Sequence, residues 1–419
     1  MAVKTIITPV LKFWGLERHP FDDLVLRGSD LDLFIDRATE VRRLQNALSN
    51  ALCGVFGAQG VGKSSVLNKL SALTLKEGYA VVSVQMMGTS ESLLYREILA
   101  AILREIKAGR IKVTGKLKLK VDQELDRVQN SIKYTASVEA AGEAGWKALL
   151  NLAVKTGITK GEERELAQHT EDTALELIRN IAQHKKEPFV VVIDNLERAK
   201  FLLNNEDAYF RFITKFAQTI DSAFSEAGVP FVVSLDQSFA DRINDQLPGA
   251  EEAYSFSFGQ LVEIKVFPPG DFFKIISRRL GCREWPGEVA DFMERDAFWA
   301  LMIATGGHPR RAFAVLREAM ELIAAKNAKQ KIRLEHMRAA IDECGEKLAE
   351  TDIRIFQFLA AKGPHSSSDD ALMKAVGIAR TQLRTRLAEL QKRALLGVTQ
   401  ETSGSTKKDI YFVENVDLT

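Results

Sequence analysis

Residues Gly57-Ala58-Gln59-Gly60-Val61-Gly62-Lys63-Ser64 fit the pattern G-x-x-x-x-G-K-[ST] at every fixed position. In such a loop backbone amides wrap the phosphates of a nucleotide while the lysine neutralises their charge. The run Ala51-Leu52-Cys53-Gly54-Val55-Phe56 before it is apolar and strand-like. Ser65-Val66-Leu67-Asn68-Lys69-Leu70 continues with helical spacing, which completes the strand–loop–helix context that the motif needs. Each position has its own task. Gly57, Gly60 and Gly62 permit unusual backbone angles, Lys63 reaches the β- and γ-phosphates, and the Ser64 hydroxyl ligates Mg²⁺. Gln59, Val61 and Ser65 complete the expected phosphate-facing set. The cofactors expected from this loop are Mg²⁺ and a nucleoside triphosphate, ATP or GTP.

Composition limits the alternatives. With 419 residues and 46% hydrophobic content, the chain can build two or three cored domains. A net charge of +1 leaves any affinity for nucleic acid to local basic patches. Cys53, Cys282 and Cys344 lie far apart and form no C-x-x-C pair, which argues against a zinc ribbon and fits a reducing compartment. No apolar run approaches the ~20 residues that span a bilayer, and no leader-like charged and apolar regions open the chain. A cytoplasmic protein without a membrane partner is expected.

Further along, Tyr79-Ala80-Val81-Val82-Ser83-Val84-Gln85-Met86 reads as a second buried strand, followed by a helix from about Ser90 to Ile106. Alternating strand and helix imply a parallel sheet with helical crossovers. Phe189-Val190-Val191-Val192-Ile193 runs into Asp194, placing a carboxylate at the carboxyl edge of the sheet beside the phosphate loop, where it can hold Mg²⁺ through water. Another buried run, Val229 to Asp236, ends in Ser234 and Asp236. These two fit either a γ-phosphate sensor or turn and helix-cap residues.

Between the second strand and Asp194 lies an insertion, about residues 107–170. Within it, Arg110 to Val113 and Lys116 to Val121 alternate basic with apolar around Thr114-Gly115, the pattern of a β-hairpin with a lysine-covered face. That face suits either a phosphate backbone or a protected sheet edge. Beyond Pro268-Pro269 helical patterns dominate to about Glu350. Gly306-Gly307-His308-Pro309-Arg310-Arg311 opens one of these helices with two cations against the helix dipole, a placement that a nearby anion would explain.

From Asp352 the order is helix, a Gly363-Pro364 break, helix–turn–helix, then two strands around a polar Ser/Gly/Lys tip, which predicts a winged helix over 351–419. Leu383, Leu387 and Leu390 share one face of its third helix, leaving Arg380, Thr381, Arg384 and Thr385 outward. Lys407 and Lys408 occupy the wing tip. Between Leu372 and Phe412 eight Lys/Arg stand against three Asp/Glu, so duplex DNA is the expected partner of this module. Protein contact or autoinhibition is the competing use of such a domain.

These motifs, in this order, resemble the AAA+ ATPases, especially the branch of origin-recognition initiators and transposition-associated ATPases. The resemblance spans roughly residues 12–350. Phe13-Trp14-Gly15-Leu16 with Pro20-Phe21 is similar to the "GL…PF" signature of that branch, and Phe34 to Glu40 is similar to its "lfvgReeE" box. Gly57–Ser64 matches Walker A, Phe189–Asp194 matches Walker B, and Gly307-His308-Pro309-Arg310 is similar to sensor 2. The resemblance implies an α/β P-loop core over 1–266, a helical lid over 267–350 and self-association. It also implies that Arg310 contacts the γ-phosphate. Many members carry Asp-Glu in Walker B, whereas this chain has Asp194-Asn195-Leu196-Glu197. Glu197 is therefore the candidate to polarise water, with a helix cap as its alternative role. Arg198 extends the likeness toward KAP-type signalling NTPases. Arg242 is the nearest candidate arginine finger, because Glu251, Glu252 and Tyr254 occupy the usual position. The expectation is an ATPase that acts as a nucleotide-controlled assembly switch on duplex DNA. Its rival is a STAND- or KAP-type signalling or antiviral-defence NTPase that uses the winged helix as a lock.

Overall fold

The computed structural model describes residues 9–16, 19–22, 25–35, 37–86, 91–113, 121–141, 171–203, 205–246, 258–281, 287–326, 331–403 and 406–413. The chain divides into two units, residues 37–59 with 63–264, and residues 1–36 with 60–62 and 265–419.

In the first unit, β1 (Leu52–Gly57), β2 (Ala80–Gln85), β3 (Phe189–Asp194), β4 (Phe231–Asp236) and β5 (Gln260–Glu263) form one sheet in the order β2-β3-β4-β1-β5. Every pairing is parallel. The apolar runs account for this, since Phe189 to Ile193 and Phe231 to Leu235 are buried residue after residue, as in strands covered on both faces. Gly54 has no room for a side chain, since a β-carbon there would come within 2.8 Å of Leu261 Cδ2. Register sets Gly57 opposite Asp236 and Gln85 opposite Asp194, so the phosphate loop and both acids leave the same carboxyl edge.

The expected helix after the second strand runs Glu91–Lys107. It packs with Val121–Ala141 and Glu171–His184, and buried Arg96 donates to Ser131 Oγ at 2.7 Å across that cluster. Of the hairpin expected over 110–121, only the two ends are described, and neither pairs with the other. Val113 bridges antiparallel to Lys185, Lys186 N donates to Lys112 O at 2.9 Å, and Val121 already starts a helix. Residues 114–120, with Lys116, Lys118 and Lys120, lie outside the described residues, as do residues 142–170.

The second unit is built on the helices Pro269–Gly281, Arg295–Thr305, Pro309–Ala325 and Leu334–Glu343. The N-terminal segment, expected within 1–266, makes its contacts here. Trp14 Nε1 donates to Met320 O at 3.2 Å, Phe21 stacks on Phe313 at 6.0 Å, and Arg279 donates to Pro20 O at 2.9 Å. Aromatic burial of this kind draws a distant segment onto the helices.

The C-terminal part follows the winged-helix order, with helix Glu350–Lys362, β6 (His365–Ser366), helices Asp370–Val376 and Arg380–Lys392, then β7 (Gly397–Ser403) and β8 (Thr406–Phe412) in the sheet order β6-β8-β7. Asp369 caps the second of these helices, accepting from the amides of Ala371 and Leu372. One core joins this module to the helices before it. Trp299 packs on Phe356 at 4.8 Å, and Arg393 Nη2 donates to Ile303 O at the end of the helix Arg295–Thr305.

Candidate nucleotide site and basic face

β1 ends in Gly57, and the loop that follows turns through positive φ at Gly57 (149°), Gly60 (86°) and Gly62 (107°), angles that side-chain-bearing residues rarely adopt. The helix Lys63–Lys76 then begins, placing Lys63, Ser64 and Ser65 in its first turn. Lys63 is 5% exposed, and its Nζ lies 2.8 Å from Gly57 O, 3.2 Å from Ala58 O and 3.1 Å from Glu197 Oε2. A buried ammonium requires such partners. Its position at a loop mouth and helix N-terminus suits the phosphates of a nucleotide.

Asp194 ends β3, and the chain reverses in the next three residues. Asn195 takes φ of 61°, Leu196 is fully buried, and Glu197 returns toward Lys63. Burial pushes the Glu197 carboxyl up; Lys63 pulls it down, and Asp194 and Asp236 push it further up. Three carboxylates leave one edge, Glu197 paired with Lys63 and Asp236 with Lys200, and Asp194 beside them is the acid placed to take a cation that a polyphosphate would share. The donor types fit Mg²⁺, which takes one or two protein oxygens and the rest from phosphate and water.

The other strand end behaves differently. Ser234 is fully buried, and its Oγ accepts from Asn195 N at 2.8 Å. Asp236 accepts from Ser238 N at 3.0 Å, as a residue capping the helix Gln237–Gln246 does, and from Lys200 Nζ at 3.2 Å. Burial would raise the Asp236 carboxyl, but Ser238 and Lys200 outweigh it and hold the group below its ordinary value. The sequence reading overlooked Lys200, although it stands one turn beyond Glu197 at the start of the helix Arg198–Leu203. Arg242, the expected arginine finger, is engaged within its own unit, paired with Asp207 and stacked 4.6 Å from the Phe210 ring. Glu251, Glu252 and Tyr254 lie outside the described residues.

In the second unit, Gly306 takes the left-handed conformation that ends the helix Arg295–Thr305, and Pro309 starts the next. Arg310 is exposed in that first turn, whereas Arg311 beside it pairs with Glu346. On the winged helix, Leu383, Leu387 and Leu390 are buried while Arg380, Thr381, Arg384 and Thr385 are exposed, the division their spacing predicts. Lys407 and Lys408 are exposed on β8.

Fold and loop together define a P-loop nucleotide-binding protein of α/β architecture with a C-terminal winged helix. Residues 33–203 match the family model described as AAA ATPase domain. An uncharacterized HTH-type transcriptional regulator of Methanocaldococcus jannaschii, MJ0774, is 23% identical over 405 residues, covering 94% of this chain and 86% of that protein. Among solved structures, the chain is similar to the Aeropyrum pernix ORC2 protein, with TM-score 0.44 and 14% identity over 94% of this chain and 93% of that one. It is also similar to the Aeropyrum pernix ORC1 protein in complex with DNA, with TM-score 0.42 and 15% identity over 94% and 93%. For the Thermotoga maritima RuvB Holliday junction branch migration motor the TM-score is 0.35, with 15% identity over 90% and 94%. Among the described residues, no helix is long and apolar enough to cross a membrane.

Proposed function

We propose that this chain is an ATPase whose nucleotide state controls its assembly on duplex DNA. The observation that carries the reading is the arrangement of Lys63, Glu197 and Asp194 at one sheet edge, a phosphate cradle with an adjacent acid pair. Lys63 binds the β- and γ-phosphates with the amides of Gln59 to Ser65, and Ser64 and Asp194 hold Mg²⁺. The metal supplies charge neutralisation on the transferring phosphoryl group. Glu197 orients the attacking water and accepts its proton, which requires its carboxylate form. Arg310 senses the γ-phosphate.

The basic face of the winged helix is the surface for DNA: Arg380 and Arg384 with Thr381 and Thr385 enter or clasp a groove, and Lys407 and Lys408 meet phosphates. The name of the Methanocaldococcus relative, which matches almost the whole chain, supports this assignment. Self-association and a cytoplasmic setting belong to the same reading.

One observation favours the rival signalling reading. The winged helix shares a single core with the helices before it, as a domain used for locking would. Steady-state ATP hydrolysis with and without duplex DNA separates the two. Stimulation by DNA that disappears in Glu197→Gln supports the DNA-coupled ATPase. Hydrolysis indifferent to DNA supports the lock.

A further inference from the structure

Ser234 stands where the sequence allowed a γ-phosphate sensor, yet its fully buried hydroxyl oxygen faces the backbone of the neighbouring strand end. Asn195 N donates to Ser234 Oγ at 2.8 Å and to Asp194 Oδ1 at 2.9 Å. Asn195 holds φ of 61°, the left-handed region that few non-glycine residues adopt and that asparagine tolerates best. Its carbonyl accepts from Arg198 N at 2.9 Å, so both sides of this one residue are pinned. The reversal sends Leu196 into the core and brings Glu197 Oε2 to 3.1 Å from Lys63 Nζ.

We infer that Ser234 is a positioning residue: by accepting the Asn195 amide it fixes the left-handed turn that presents Glu197 to the phosphate loop. Asp194 alone cannot do this as well. Its Oδ1 shares the same amide, and its carboxylate is also the group that would hold Mg²⁺. Ser234 is an uncharged acceptor on a different strand, so it holds the turn whatever Asp194 is doing. The separation between Lys63 and Glu197 is thus set by the pairing of β3 with β4, through one hydroxyl. The inference rests on the reading of Glu197 as the group that activates water, and it adds a sequence requirement: left-handed geometry at residue 195 and an acceptor at residue 234.

The test uses the full chain and four variants, Ser234→Ala, Asn195→Val, Asn195→Gly and Glu197→Gln, measured for kcat, KM and the affinities of fluorescent ATP and ADP analogues. Ser234→Ala lowers kcat about tenfold or more while both analogues bind within about twofold of the parent, because misplacement costs rate and not ground-state binding. Asn195→Val, β-branched in a left-handed position, loses kcat likewise; Asn195→Gly, which keeps the amide and the angle, restores it. Two results overturn the assignment. Selective weakening of the ATP analogue over the ADP analogue in Ser234→Ala makes the hydroxyl a phosphate contact. An unchanged kcat in Ser234→Ala, with Glu197→Gln inactive, removes the positioning role and leaves Glu197 standing. Wild-type turnover in Glu197→Gln instead defeats the parent reading of that residue.

Discussion

Lys63 Nζ lies 3.1 Å from Glu197 Oε2, so the cation that should receive the phosphates is held by the carboxylate that should activate water. The pair is buried, at 5% and 15% exposure, where a charge without a partner is costly. On the proposed reading a nucleotide would compete with Glu197 for Lys63, and its binding would free the carboxylate to act on water. Lys63→Ala should abolish binding of an ATP analogue at any practical concentration. Glu197→Gln should bind the analogue at least as tightly as the parent and hydrolyse ATP about 10²-fold more slowly or worse. Equilibrium binding and single-turnover hydrolysis on the same two variants check both statements.

Acidification should silence hydrolysis earlier than an ordinary glutamate would. Burial raises the Glu197 carboxyl above its usual 4.5, with Lys63 opposing and Asp194 and Asp236 adding to the rise. The base is lost when it gains a proton, so the acid limb of the kcat profile falls as pH drops through a value above 4.5. The profile of Glu197→Gln residual activity should lack that limb.

Fold stability should carry a separate pH dependence, set by His19. Burial, then Arg317, lowers its pKa from 6.5 to about 4, and its Nδ1 accepts from Phe21 N at 3.1 Å, which requires the neutral ring. A group whose folded pKa is depressed contributes stability that is full above its unfolded value, here 6.5, and is lost as pH falls toward 4. With partial exposure discounted, the loss is about 2 kcal/mol. Thermal unfolding between pH 7 and pH 4 should show this slope in the parent and a shallower one in His19→Asn.

Where the winged helix meets the preceding helices, Arg393 caps a helix end. It donates to Ile303 O, the carbonyl three residues before the Gly306 turn, and its charge lies near buried Asp352. Arg393→Ala should destabilise the second unit by about 1–3 kcal/mol, because the Ile303 carbonyl is left without its donor and Asp352 keeps only the Arg386 charge. Chemical denaturation of the full chain measures this.

Duplex DNA binding should depend on the exposed side of the helix Arg380–Lys392. Removing Arg380 and Arg384 together should weaken binding to all sequences and reduce the log–log salt slope by about 2, since each arginine neutralises about one phosphate. Fluorescence anisotropy at several salt concentrations reads both effects.

What the sequence disclosed was local. The phosphate loop, the strand ending in Asp194, and the leucine stripe of the third winged-helix helix each depend on neighbours within about ten residues, where periodicity and fixed spacing carry the information. Distant pairings were not legible in this way. The alternating segment at Arg110 to Val113 suggested a hairpin partner close by, but the bridge is to Lys185, whose polar surroundings give no strand signal. Trp14 and Phe21 are apolar residues near the start of the chain, and nothing in their pattern says that Met320 and Phe313 receive them. By its place at a strand end Ser234 fits a γ-phosphate sensor or a turn and cap residue, and neither reading points to its bond across the sheet with Asn195.

The affinity of the full chain for one duplex, measured with a non-hydrolysed ATP analogue and again with ADP, tests the switch itself. The account predicts a difference of about fivefold or more between the two nucleotides, the lower range of coupling between distinct sites, and its loss in Lys63→Ala. Identical binding curves with both nucleotides, under conditions where each is shown to occupy the protein, would contradict it.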